Sequence, residues 1–228
     1  MGWSILLLKG LFVTFMLGII SLPLSLLVGL ILAYAQLSSS FFARKIAVVF
    51  TTFLRSLPEL LTLFIVYYGL PLLVHYILSL FGVSVGHIQI SPFIAGILAL
   101  SLLASAFASE MWMGVFHAIP KGQYEASKAL GFPPFLAFYL VIFPQLWRLS
   151  IPGMVNVWLN LLKDTSLVST IALTELMRQT QIAVATTKEP LIFYGAACFL
   201  YLCLAAISGV IAQKCEQFSQ KTMQRRRI

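Results

Sequence analysis

The sequence predicts an all-α membrane protein built on five spanning helices, and three observations carry that prediction. Of 228 residues, 60% are hydrophobic and only 10% are charged, too few polar side chains to cover a water-soluble domain. The charges are also unevenly spread: none lies between Lys9 and Arg44, between Glu59 and Glu110, or between Glu189 and Lys214. Each gap holds at least one run of about 20 residues, enough helix to cross the hydrocarbon core. The apolar character is continuous, without the alternation of a transmembrane barrel.

The spans read as 10–36, 50–80, 91–112, 146–172 and 191–213. The first has only Lys9 before it and is too long for a signal-peptide core, so it is expected to be retained. The second is longer than a bilayer requires. Pro58 removes a backbone donor near its start, which predicts a kink or unwound turn at Ser56–Pro58. Backbone groups freed there could face a substrate, as in the broken helices of transporters; the alternative is that Arg55 simply reaches the cytoplasmic headgroups. Cys198, Cys203 and Cys215 offer neither a disulfide framework nor metal-ligand spacing and read as apolar packing. His75, His87 and His117 are too scattered for a metal site.

Lys and Arg set the orientation. Arg44, Lys45 and Arg55 lie after the first span, Lys121, Lys128 and Arg148 after the third, and Lys214, Lys221 and Arg225 to Arg227 after the fifth. These segments share one side if there are five spans. The opposite side has "FGVSVGHIQI" and a stretch, 173–190, where Glu175 and Glu189 balance Arg178 and Lys188. The basic side is therefore cytoplasmic, with the N-terminus periplasmic and residues 214–228 a basic cytoplasmic tail. The net charge of +8 is a topology and lipid-headgroup signal; a nucleic-acid partner would need a basic soluble module, and none is present.

One cytoplasmic stretch, "KGQYEASKALGFPPFLAFYLVIFP" (121–144), concentrates polar residues. Pro120 and Gly122 open a short amphipathic helix whose Tyr124, Ala126, Ala129 and Leu130 form one face, and Gly131 closes it, because a left-handed turn is cheapest at glycine. Pro133 and Pro134 suit the first turn of a second short helix, running to Pro144. Read from physics alone, this is either a docking protrusion or an ordinary interfacial helix.

Glu125-Ala126-Ser127, three residues, Gly131, nine residues and then Val141 to Pro144 resembles the EAA loop of ABC importer permeases. That pattern is Glu-Ala-Ala, three residues, Gly, nine residues, Ile-x-Leu-Pro. Ser127 replaces the second Ala, and Val141 and Phe143 replace Ile and Leu, with the spacing intact. The segments 55–70, 91–126 and 144–171 are similar to the polar amino-acid branch, and most like Q-type subunits of arginine importers. The resemblance implies the type I importer permease fold (MetI-like), a transmembrane domain over 10–213 and a coupling loop at about 119–144. It assigns Gly122, Glu125, Ala126, Ser127 and Gly131 to docking on an ATPase subunit. Two departures stand out. Relatives often carry Arg where Met113 stands, so an ion pair from there to Glu110 is not assumed. Homodimeric relatives carry an acid after the Asn of a Gly-Asn-Glu segment, where this chain has Asn156-Val157. The resemblance then implies that the countercharge for a basic substrate comes from the partner chain, or from Asp164 if its side chain turns inward, and that the importer is a heteromer with its main substrate site mostly in the other permease.

Within the fourth span, Lys163 and Asp164 each carry a large desolvation penalty and should face the bundle interior or water. Thr165, Ser166 and Asn156 add polar groups nearby, so this helix reads as lining the translocation path together with Ser56, Leu57 and Pro58. No GxxxxGK occurs and no nucleophile–base pair stands out, so the chain itself is not expected to be an enzyme. ATP and Mg are expected on a partner ATPase dimer, with a second homologous permease and a periplasmic amino-acid-binding protein completing the importer. A non-transporting scaffold is the alternative; polar residues along one span favour transport, and the lack of a charged ring weighs against a channel.

Overall fold

The computed structural model describes residues 2–81 and 90–224, so His87 and Arg225 to Arg227 lie outside the described residues. Among the described residues, five helices are long and apolar enough to cross a membrane: Trp3–Leu37, Glu59–Leu80, Pro92–Ala118, Pro134–Ile171 and Pro190–Ile211. The elements are α1 (Trp3–Leu37), α2 (Phe41–Ser56), α3 (Glu59–Phe64), α4 (Leu70–Leu80), α5 (Pro92–Ala118), α6 (Lys121–Ala129), α7 (Pro134–Ala137), α8 (Phe143–Asp164), α9 (Leu176–Thr187) and α10 (Pro190–Gln224). The expected break at Ser56–Pro58 is present. Helix α2 ends at Ser56, Leu57 and Pro58 are extended, and α3 starts at Glu59. The second span therefore begins at Glu59, not 50, and α2 is a separate helix.

The centre of the bundle is the pair α1 and α5. Helix α1 is predominantly apolar on every side, and its packing face is marked by small residues: Gly10, Thr14, Gly18, Ser21, Ser25, Gly29 and Ala33 are all buried. In lipid such a stripe lets backbones approach closely, where apolar surface alone gives no preference. Helix α5 answers with Ala95, Gly96, Ala99, Ala104, Ser105 and Ala108. Ser101 donates to the Ser21 carbonyl at 3.3 Å, and Trp112 Nε1 donates to the Leu26 carbonyl at 3.0 Å. Gln36 Nε2 reaches Ser109 Oγ at 2.8 Å. Contacts thus advance along both helices together, so α1 and α5 run parallel and their C-termini share one end of the bundle.

At Gly29 an added Cβ would lie 2.6 Å from the Ala108 Cβ and 2.9 Å from the Ser105 carbonyl oxygen. Gly29→Leu is expected to destabilise the protein by about 1–3 kcal/mol through overpacking, seen as a lower unfolding midpoint in detergent. An unchanged midpoint would contradict the close contact.

Two π-helical turns interrupt the rods, at Ile65–Gly69 and Phe138–Ile142. Each is followed within two residues by a proline, Pro71 and Pro144. Proline has no N–H and its ring crowds the carbonyl four residues back; a π-turn widens the helix at that point. This corrects the expectation of a second short helix ending at Pro144. Pro144 sits in the first turn of α8, and helix continues from Pro134 to Ile171 through the π-turn and a final 3₁₀ segment, Thr165–Ile171.

Candidate functional site

Helix α6 projects at the end of the bundle where α1 and α5 terminate. Its C-terminus is a complete Schellman closure: Phe132 N–H donates to the Ser127 carbonyl at 3.1 Å and Gly131 N–H to the Lys128 carbonyl at 3.0 Å. Gly131 takes φ +75° with open space around it, so its role is conformational rather than steric. Gly122, Glu125 and Ala126 are exposed, whereas Ser127 is buried with its hydroxyl donating to the Tyr124 carbonyl at 2.8 Å. A small residue is needed at 127, and serine meets that need by satisfying its own hydroxyl within the helix. The amphipathic face of α6 has no cover: Tyr124 is 47% exposed and Leu130 72%. Beneath it, Val115, Ile119, Ile142 and Leu146 pack as one cluster, fixing the protrusion to α5 and α8.

The polar residues of the spans fall into two groups. Leu57 and Pro58 form the extended break, and Ser56 donates to the Thr52 carbonyl at 2.7 Å. Immediately after it, the Glu59 carboxyl meets that of Asp164, at the point where α8 tightens into 3₁₀ geometry. Asn156 and Lys163 are exposed on that helix, and Ser166 is half-buried, donating to the Lys163 carbonyl at 2.7 Å. Thr165 is fully buried and donates to the Leu162 carbonyl at 2.6 Å. Val157 is also buried, among Ala104, Ala108 and Leu161, so its side chain faces the core. Glu59 escaped the sequence reading as a partner for Asp164; an acid opening a membrane span was the available signal.

Arg55 does not end at the headgroups. It forms an ion pair with Glu110 of α5, two turns before that helix ends, so Glu110 finds its cation on α2 where Met113 supplies none.

The opposite end of the bundle holds a buried carboxylate within the stretch where acids and bases balance. Glu175 is wholly enclosed and caps α9, accepting from Met177 N–H at 2.9 Å and Arg178 N–H at 2.8 Å. Thr14 of α1 and Tyr201 of α10 each donate to it at 3.2 Å. Burial raises its pKa from the ordinary carboxylate value, against the opposing pull of these donors. The folded protein therefore holds a proton the unfolded chain has lost, and stability falls as pH rises through that interval and levels off above it. Glu175→Gln, neutral throughout, is expected to remove this component of the slope. Unfolding midpoints of both proteins across about pH 4–8 check it; parallel slopes would contradict it.

A bundle of five spans with an uncovered helix at one end and charged side chains at a helix break has the architecture of a transport permease driven from outside its own chain. Residues 8–214 match the family model described as the binding-protein-dependent transport system inner membrane component, and the chain belongs to that family. It is 35% identical over 224 residues to the octopine transport system permease protein OccQ of Rhizobium radiobacter, covering 98% of this chain and 94% of that one. It is 40% identical over 194 residues to the arginine ABC transporter permease protein ArtQ of Haemophilus influenzae, covering 84% and 85%. Among solved structures it resembles an amino acid ABC transporter with histidines, at a TM-score of 0.79 and 26% identity, covering 94% of each chain. It also resembles the inward-facing MetNI methionine ABC transporter, at a TM-score of 0.72 and 17% identity, covering 94% of this chain and 96% of that one, a likeness of fold. The protein is thus an inner-membrane importer permease of MetI-like fold that works with an ATPase and a substrate-binding protein, which sets the scaffold alternative aside.

Proposed function

We propose that this chain carries a basic amino acid, arginine or a close analogue, by alternating access. The observation that carries the reading is the meeting of Glu59 and Asp164 beside the Leu57–Pro58 break. Two carboxylates in contact repel unless a proton or a cation lies between them, and a guanidinium or ammonium group is the natural occupant in a site facing a passage. Relatives named for octopine, arginine, and histidine, lysine, arginine and ornithine transport support the same substrate class.

In this reading Ser56, Leu57, Pro58, Glu59, Asn156, Lys163, Asp164 and Ser166 line the passage. Gly122, Glu125, Ala126, Ser127 and Gly131 form the surface that docks on an ABC ATPase dimer, which holds ATP and Mg. A second homologous permease completes the passage, and a periplasmic binding protein delivers substrate at the end opposite α6. The N-terminus is periplasmic and the basic tail cytoplasmic. Closure of the ATPases draws the α6 helices together and turns the bundles. Proteoliposomes containing the four kinds of subunit are expected to accumulate labelled arginine on ATP addition, with lysine competing and glutamine not. Uptake of glutamine at an equal rate would overturn the assignment of substrate class.

A further inference from the structure

The break at Leu57–Pro58 is a joint that the helix ladder does not hold. Leu57 and Pro58 are both extended, Leu57 N–H closes back on Phe53 and the first donors of α3 return only as far as Pro58, so no hydrogen bond of the ladder spans the two helices. Helix α2 packs on α1 and α5 through one face only. Ala47, Thr51 and Leu54 are its buried residues, while Phe42, Ile46 and Phe53 stand 76%, 68% and 57% exposed. At the end of α2, buried Leu54 and the ion pair from Arg55 to Glu110 hold the helix to the bundle, the pair lying one residue after Leu54 and two before Leu57.

The far side of that pair is rigid. Glu110 follows Ser109, which accepts from Gln36 of α1, and lies two residues before Trp112, which donates to the α1 backbone. Helix α5 then runs on to Ala118 and, after Ile119 and Pro120, into α6. The pair itself is partly exposed, with 32% and 54% of the two side chains accessible.

We propose that Arg55 and Glu110 are positioning residues for transport: their ion pair clasps the Leu57–Pro58 break to α5 and so links movement of α6 to the polar passage. The proposal rests on the reading of α6 as the docking helix and of the break as part of the passage.

The test is a charge exchange in the reconstituted complex of this permease, its partner permease, ATPase and binding protein. Arg55→Glu and Glu110→Arg are each expected to cut arginine uptake at least about tenfold while ATP hydrolysis stays within about threefold, so that transport per ATP falls. The double exchange restores the pair in reverse and is expected to return uptake to within about threefold of the parent, the signature of a direct interaction. Where a reversal prevents the complex from assembling, Glu110→Gln decides: it keeps the side-chain shape and should lower the maximal uptake rate with little change in KM. Wild-type uptake in Glu110→Gln, or a double exchange no better than either single variant, would overturn the clasp. A parent complex without ATP-driven uptake would instead defeat the underlying reading of function.

Discussion

Gly131→Val is expected to leave the protein inserted in the membrane while binding-protein-stimulated ATP hydrolysis falls by roughly 5–30-fold. Gly131 sits at φ +75° and closes α6 through two backbone hydrogen bonds. A residue with a Cβ pays about 1–2 kcal/mol in this conformation, more when β-branched. That energy corresponds to roughly a 5–30-fold loss of the docking-competent geometry. Open space surrounds the position, so the effect is not a clash and the bundle beneath should survive. Two measurements separate the possibilities: recovery of the ATPase subunit with the purified permease, and ATP turnover in the presence of binding protein and substrate. Gly131→Asn is the control, since asparagine tolerates the left-handed region better and should lose less. Normal turnover with normal subunit recovery in Gly131→Val would rule out α6 as the docking element.

What could be read from the sequence followed from how locally each feature is encoded. The α6 turn was legible because Gly131 and the prolines around it dictate backbone dihedrals by themselves. The break at Ser56–Pro58 was legible for the same reason. Pro144 misled, because a proline inside apolar helix reads as a stop unless a π-turn makes room for it, and no residue type announces a π-turn. The α1–α5 contact left its mark as a stripe of small residues from Gly10 to Ala33. Average hydropathy does not single out such a stripe, since apolar residues surround it and glycine and alanine on the stripe differ from them mainly in size. Neither Arg55 with Glu110 nor Glu59 with Asp164 could be paired from spacing. The partners lie on different helices, and only the parallel course of α1 and α5 and the return of α8 bring them together. Glu175 shows the limit of charge counting: the balance of acids and bases over 173–190 bears on orientation, yet says nothing of a carboxylate held by donors from three helices.

Asp164→Asn is expected to reduce uptake of a cationic amino acid by roughly 10–150-fold while basal ATP hydrolysis and assembly persist. The substitution keeps the size of the side chain and removes its charge, so a bound guanidinium or ammonium loses one of two facing carboxylates. Hydrogen bonds to a charged group are worth about 1.5–3 kcal/mol, which gives the stated range of affinity. Asp164 is half-buried at the end of α8 and makes no cap bond from its side chain to the 3₁₀ segment that follows, so little of the fold depends on its charge. Glu59→Gln is expected to act in the same direction, because Glu59 opens α3 in the exposed turn after Pro58. If the two acids serve one cation, the double variant should lose less than the product of the single losses, since the second removal acts on a site already emptied. The loss should appear in KM before it appears in the maximal rate, because the pair binds substrate and performs no chemistry. Unchanged KM for arginine in both single variants would remove Glu59 and Asp164 from the substrate site and leave the cation to be met by the partner permease.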